Sequence, residues 1–198
     1  MRNNIRVLEL QNYLLQMGAK LDKYGADGDL GNETKAAIDS LSAPEYLKVA
    51  LKEIGIKEII GKKHEKRVLE YQATTSGKYT DDETPWCGAF VSWVMKQSGI
   101  KHGIKIPERA KEWVNFGYAV DKPSIGTIAI KSRVGGGHVC IVVGKSTNGK
   151  LLCVGGNQNN EVSIAEYDAG VFESFRNYSK ANELHAINLK STSAVTEA

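Results

Sequence analysis

The stretch DDETPWCGAFVSWVMKQSG, Asp81 to Gly99, opens with acids, turns at Thr84-Pro85, and runs into an apolar helix closed by a glycine. Thr84 reads as the N-cap and Pro85 as the first helical residue, which places Trp86 and then Cys87 in the first turn. First-turn amides lack intrahelical acceptors, and the helix dipole there favours negative charge. Both effects lower a thiol pKa from its ordinary value of about 8.5 and favour the thiolate. Taken alone, the stretch equally fits an inert cysteine packed under Trp86 and Trp93. Gly88 costs a helix interior up to ~1 kcal/mol against alanine, so it asks for a reason. Small residues at 88 and 89 would let a substrate carbonyl approach.

A thiolate nucleophile needs a base, and the base needs an orienting group. Working outward, GGGHVCIVVG offers His138 at the start of a strand, behind Gly135–Gly137. The chain returns through STNGK into LLCVGGNQNN. A hairpin centred between Thr147 and Asn148 sets Asn157 opposite His138, with both side chains on one face. A turn centred on Asn148-Gly149 slips the partner to Asn159, still on that face. An amide in either place can fix the imidazole tautomer, as the third member of a triad does. Cys140 and Cys153 lie in apolar strand-like runs and read as buried, inert thiols. His64, His102 and His185 lack a comparable setting and read as surface or strand-edge residues. No Cys-x-x-Cys or His-x-x-x-His pair exists, so neither metal nor other cofactor is expected.

The flanking sequence predicts helices first and strands second. Residues 4–17 carry the stripe Val7, Leu10, Leu14, Met17 of a helix stopped by Gly18. Asn32 can cap a second helix through Leu41. Ser42 and Glu45 have capping-box spacing ahead of a helix over 46–54, and further helices are expected over 65–73 and 107–117. After Pro123 the chain turns Val/Ile-rich, with strands expected at 127–130, 138–143, 150–154, 161–166 and 185–189. The prediction is an α+β domain over 43–190 in which the Cys87 helix packs on an antiparallel sheet. A small all-α module over 1–42 precedes it, and a disordered tail covers 191–198.

The bulk numbers restrict function only loosely. The chain has 198 residues, 41% of them apolar, and a formal charge of +3. A mildly basic protein suits an anionic polymer without selecting one. The densest basic run, GKKHEKR (Gly61 to Arg67), reads as a solvated loop and helix start. No run approaches a membrane span of ~18 residues, and the N-terminus has no secretory pattern. Synthesis in the cytoplasm is therefore expected, without stable membrane insertion. The odd count of three cysteines argues against a disulfide framework.

TPWCGAFVSWVMKQSGI, GHVCIVVG and VGGNQNNEVSIAEY together resemble the CHAP and NlpC/P60 papain-like amidohydrolases over roughly residues 44–190. The resemblance implies a peptidoglycan hydrolase, an N-acetylmuramoyl-L-alanine amidase or endopeptidase, with Cys87 as nucleophile, His138 as general base and Asn157 as the polar third residue. The backbone amides of Cys87 and Gly88 are the implied oxyanion donors, and Trp86 is expected to touch substrate. Two departures stand out. The family often carries an acid two positions before the Asn, where this chain has Gly155. The block usually reading Gly-Asp before the His is Gly126-Thr127. LQNYLLQMGAKLDKYGADGDLGNETKAAI resembles the small helical peptidoglycan-binding module, so Asp27, Gly28, Gly31 and Thr34 are expected to bind the wall polymer. Asp27 and Asp29 do not sit in a twelve-residue calcium loop. The whole fits a monomeric, bacteriolytic phage endolysin that binds peptidoglycan and no nucleic acid, acting in the periplasm or wall after release. A secreted antibacterial effector, paired with an immunity protein, fits as well. An inactive wall-binding protein or another thiol enzyme, such as a transglutaminase, are the readings of other classes.

Overall fold

A computed structural model describes residues 4–179 and 182–187. Helices α1 (Ile5–Gln16), α2 (Asn32–Asp39), α3 (Glu45–Leu51), α4 (Lys66–Gln72) and α5 (Cys87–Gln97) come first, then a 3-10 helix over Ala110–Asn115. Seven strands follow: β1 (Tyr118–Ala119), β2 (Ile128–Arg133), β3 (Gly136–Ser146), β4 (Leu151–Gly155), β5 (Ser163–Tyr167), β6 (Ser174–Asn177) and β7 (Ala186–Ile187). They form one sheet in the order β1-β6-β2-β3-β4-β5, antiparallel throughout, with β7 added in parallel to the far end of β3. This is the mixed α+β architecture expected of a papain-like core.

Alternation along the strands sorts the two faces. Ile128, Ile130, Val139, Ile141, Val143 and Val154 turn toward the helices, where they meet Phe90, Val91 and Val94 of α5. Ala129, Cys140, Val142, Cys153, Ala165 and Tyr167 form a smaller core on the opposite face, closed by Phe172. Helix α5 is buried on every side from Cys87 to Met95, as an all-round apolar helix must be. Tyr71 of α4 stacks edge-on against Phe90 and Trp93 at centroid distances of 5.3 and 5.2 Å.

The N-terminal helices share this core. Leu10, Tyr13, Leu14, Ile38 and Leu41 belong to the same continuous apolar cluster as Leu47, Phe90 and Val143. The Tyr13 hydroxyl donates to the Val143 carbonyl at 3.2 Å, and Arg6 Nε meets Glu161 at 2.6 Å.

Several local expectations change. Met17 caps α1 rather than extending its buried stripe. Gly31, not Asn32, occupies the cap of α2, and Pro44, not Ser42, that of α3; neither cap makes a side-chain bond. The segment around 107–117 is helical only over Ala110–Asn115, and as a 3-10 helix. Strands β1 and β6 carry too little apolar alternation to announce themselves. The tail 191–198, and the end of the strand expected over 185–189, lie outside the described residues. Among the described residues, no helix is long and apolar enough to cross a membrane.

Candidate active site

Helix α5 begins at Cys87, so this residue is the first of the helix and not the third. Trp86 occupies the cap, and its carbonyl accepts the first intrahelical bond, from Phe90 N–H at 2.8 Å. Thr84 is not the cap. Its N–H and hydroxyl both donate to Asp81 Oδ1, at 2.9 and 3.0 Å, closing a turn ahead of the helix. The Cys87 and Gly88 amides still lie in the first turn, where an α-helix supplies no acceptor.

Trp86 does not reach substrate. It is fully buried, its indole N–H donates to Glu58 at 3.1 Å, and its ring covers Gly156 so closely that a Cβ there would stand 2.5 Å from it. Burial pushes the Glu58 carboxyl above its ordinary value, against the Trp86 hydrogen bond. Gly88 also has a different purpose from the one expected. A Cβ at this position would fall 2.3 Å from the Pro107 carbonyl oxygen and 2.6 Å from that of Glu108. The glycine admits the chain that walls the site, rather than a substrate carbonyl.

The N-terminus of α5 abuts the start of β3. Cys87 Sγ lies 4.0 Å from the Gly137 carbonyl oxygen, immediately before His138, which is 2% exposed. The register along this stretch pairs Ile141 with Val154 and Val142 with Cys153. Next to the turn the hairpin centres on Asn148, pairing Gly144 with Leu152, and an irregularity between Val142 and Gly144 shifts the register; only beyond that shift does the ladder, extended outward, run toward 138 opposite 157. But β4 ends at Gly155, and Asn157 takes a left-handed conformation with φ of 56°. The ladder rule for side-chain faces therefore stops short of it. Asn157 Oδ1 is buried without a hydrogen-bond partner, and Asn159, also left-handed, lies in the same turn.

Gln158 takes the orienting place instead. Its Oε1 is 3.2 Å from His138 Nε2. Its Nε2 donates to the Ser163 carbonyl at 2.6 Å and more distantly to that of Cys153 at 3.4 Å. Two carbonyls on the amide nitrogen fix which end of the amide faces the ring. Gln158 thus presents an oxygen, and His138 must donate from Nε2. The Tyr167 hydroxyl donates to the same Oε1 at 2.9 Å and lies 3.4 Å from His138 Nε2. Gly155 makes room for this. A Cβ at 155 would sit 2.9 Å from Gln158 Oε1 and 3.0 Å from Cys140 Cβ. The second departure, Thr127, is a structural knot: its hydroxyl donates to Asn177 Oδ1 at 2.6 Å and accepts from Ser124 N–H at 2.9 Å.

The other thiols and histidines are occupied elsewhere. Cys140 lies beside His138, but burial, reinforced by Cys153, pushes its thiol far up against the pull of the imidazole. Cys153 is fully buried. His102 is half-buried, and its Nε2 meets Ser92 Oγ at 3.2 Å. Ile104 N–H donates to its Nδ1 at 3.0 Å, so the neutral ring carries its proton on Nε2 and cannot deprotonate Ser92. Burial also pushes the His102 pKa down. His64 pairs with buried Asp82 at 2.9 Å, while His185 is exposed. Among the described residues, no group of three or more His, Cys, Asp or Glu is placed to hold a metal ion.

A cleft of about 440 Å³ opens at the thiol, lined by Cys87 and Pro85, the 108–112 segment, and Arg133 with Gly135–Gly137. A second, of about 630 Å³, lies in the N-terminal helices, lined by Lys23, Tyr24, Asp27, Asp29, Gly31, Asn32, Glu33 and Thr34. Sequence reasoning missed Gln11, which organises that turn. Its Nε2 donates to Asp27 Oδ1 at 2.8 Å and Thr34 Oγ1 at 2.9 Å, and its Oε1 accepts from Gly28 N–H at 2.7 Å. Thr34 and Gly28 therefore tie the turn to α1, and Gly28 does not line the groove.

Residues 79–157 match the model of the CHAP domain family. No curated protein and no solved structure matches the chain.

Proposed function

We propose that this protein, whose chain carries a CHAP domain of the CHAP and NlpC/P60 kind, cleaves an amide bond in the peptide stem of peptidoglycan by cysteine–histidine catalysis. CHAP domains are as a class cysteine/histidine peptidoglycan hydrolases. The observation that carries the reading is the meeting of the α5 N-terminus with β3. It sets the Cys87 thiol against Gly137, next to His138, whose ring is held at Nε2 by Gln158.

With Nε2–H committed to Gln158, His138 has Nδ1 to take the thiol proton, and a helix start favours the resulting thiolate. Cys87 Sγ attacks the scissile carbonyl, and the Cys87 and Gly88 amides donate to the developing oxyanion. The tetrahedral adduct collapses as His138 returns the proton to the leaving nitrogen. That releases the amine and leaves a thioester on Cys87. A water, deprotonated at Nδ1, attacks the thioester, and collapse frees the carboxylic acid and restores the thiol. No step calls for a metal. Gln158 acts on the ring, not on the substrate, and Tyr167 holds Gln158.

The groove at Lys23, Tyr24, Asp27, Gly31 and Thr34 serves in this reading as the wall-holding site. Tyr24 is 60% exposed there, with the Lys23 ammonium 4.7 Å from its ring centre, a flat face of the kind sugars stack on.

The test is mass spectrometry of soluble products from purified sacculi incubated with the wild type and with Cys87→Ala. Peptides released by the wild type alone establish thiol hydrolysis, and their masses name the bond. No release, with the protein still pelleting with sacculi, makes it a binding protein. Release by both makes Cys87 structural.

A further inference from the structure

The cleft at Cys87 holds charge that bond cleavage does not use. Arg109, Lys111 and Arg133 line it together with Glu108 and Glu112, three cations against two carboxylates. Among the described residues none of the three cations forms an ion pair, although two acids stand in the same short segment as two of them. Glu108 instead takes a hydrogen bond from the Ser76 hydroxyl at 2.8 Å, and its other oxygen is buried without a partner. Arg109 and Lys111 are exposed and Arg133 is half-buried. They stand over a wall whose other side is the bare backbone of Gly135–Gly137. Guanidinium forks without an ion pair at the rim of a cleft suit a carboxylate, which they bind through paired, charge-assisted hydrogen bonds.

We propose that this cationic wall is a subsite for a carboxylate on the residue flanking the scissile amide, so that stem peptides with free side carboxylates are preferred over amidated ones. The inference rests on the reading of Cys87 as the nucleophile that cuts the stem. An amidated stem offers the same shape without the charge, so the pair of substrates isolates the electrostatic contribution.

The experiment titrates the full-length Cys87→Ala protein with L-Ala-γ-D-Glu-meso-diaminopimelate-D-Ala. The comparison peptide carries carboxamides on the α-carboxyl of the glutamate and on the side-chain carboxyl of the diaminopimelate. The free acid is expected to bind about tenfold more tightly at low salt, the scale of one charge-assisted pair. The gap should narrow as salt screens it. Arg109→Gln combined with Arg133→Gln should reduce the preference to about threefold or less. Equal affinities, no binding of either peptide, or a preference that survives the double substitution overturns the subsite. The titration needs no turnover. A wild type that releases nothing from sacculi defeats the hydrolase reading, while the carboxylate preference is still read separately.

Discussion

Replacing Gln158 with alanine is the sharpest probe of the site. The side chain is fully buried and holds His138 Nε2 at 3.2 Å, Tyr167 Oη at 2.9 Å and the Ser163 carbonyl at 2.6 Å. In the proposed reaction His138 becomes an imidazolium during attack, and a hydrogen bond from a charged donor is worth about 1.5–3 kcal/mol. At about 1.4 kcal/mol per factor of ten, Gln158→Ala should lower kcat by roughly 10- to 150-fold. KM should change much less, because Gln158 does not line the cleft at Cys87. The comparison variant is Asn157→Gly, which removes the unpartnered amide yet keeps a residue that accepts φ of 56°. It should lose less than a tenth as much rate. The assay is release of stem peptide from sacculi at saturating substrate, with a melting curve for each variant. A collapse of rate in Asn157→Gly with Gln158→Ala near wild type would refute the assignment and return the orienting role to Asn157.

Four further outcomes follow from the same geometry. Cys87→Ala and His138→Ala should each abolish peptide release, whereas Cys140→Ala and Cys153→Ala should show mainly as lowered melting temperature, by about 1 kcal/mol of stability each; equal loss of activity in all three cysteine variants would sink the choice of nucleophile. Tyr167→Phe keeps the ring but removes the donor to Gln158, so kcat should fall several-fold and its pH profile should shift, which a purely structural role would not produce. Gln11→Ala strips the turn of its bonds to Asp27, Gly28 and Thr34; it should destabilise the protein by roughly 1–3 kcal/mol and weaken pelleting with sacculi. Burial tends to raise the Asp82 carboxyl, but the Glu65 and Ile59 amides and His64 hold it below its ordinary value. A depressed carboxylate gives stability that is complete above the unfolded pKa of about 3.9 and is lost as pH falls through the lower folded value. Acid unfolding followed by circular dichroism should therefore begin below about pH 4, and Asp82→Asn should flatten that dependence.

The sequence announced what depends on local pattern and hid what depends on where a strand ends. Cys87 at a helix start and His138 behind three glycines were legible, because helix signals and strand alternation act within a few residues. The hairpin of β3 with β4 was legible too, but not the irregularity between Val142 and Gly144, which shifts the register between the turn and His138. What periodicity does not carry is that β4 stops at Gly155 and that Asn157 turns left-handed. Beyond that point the face of a side chain is set by loop geometry, and the side chain that meets His138 is that of Gln158, one residue on. The resemblance pointed to the same residue that alternation did. Yet Gly155 held a signal. Where the resemblance led to the expectation of an acid, this chain has no side chain, and the space is taken up by the Gln158 amide, 2.9 Å from where a Cβ would be. On the proposed mechanism, the Gln158 amide does the orienting that the resemblance would give to an acid. An imidazole held by a neutral amide gains less stabilisation of its charged form than one held by a carboxylate. Restoring an acid at 155 should therefore not help: Gly155→Asp would collide with Gln158 and Cys140, and its activity should fall, not rise.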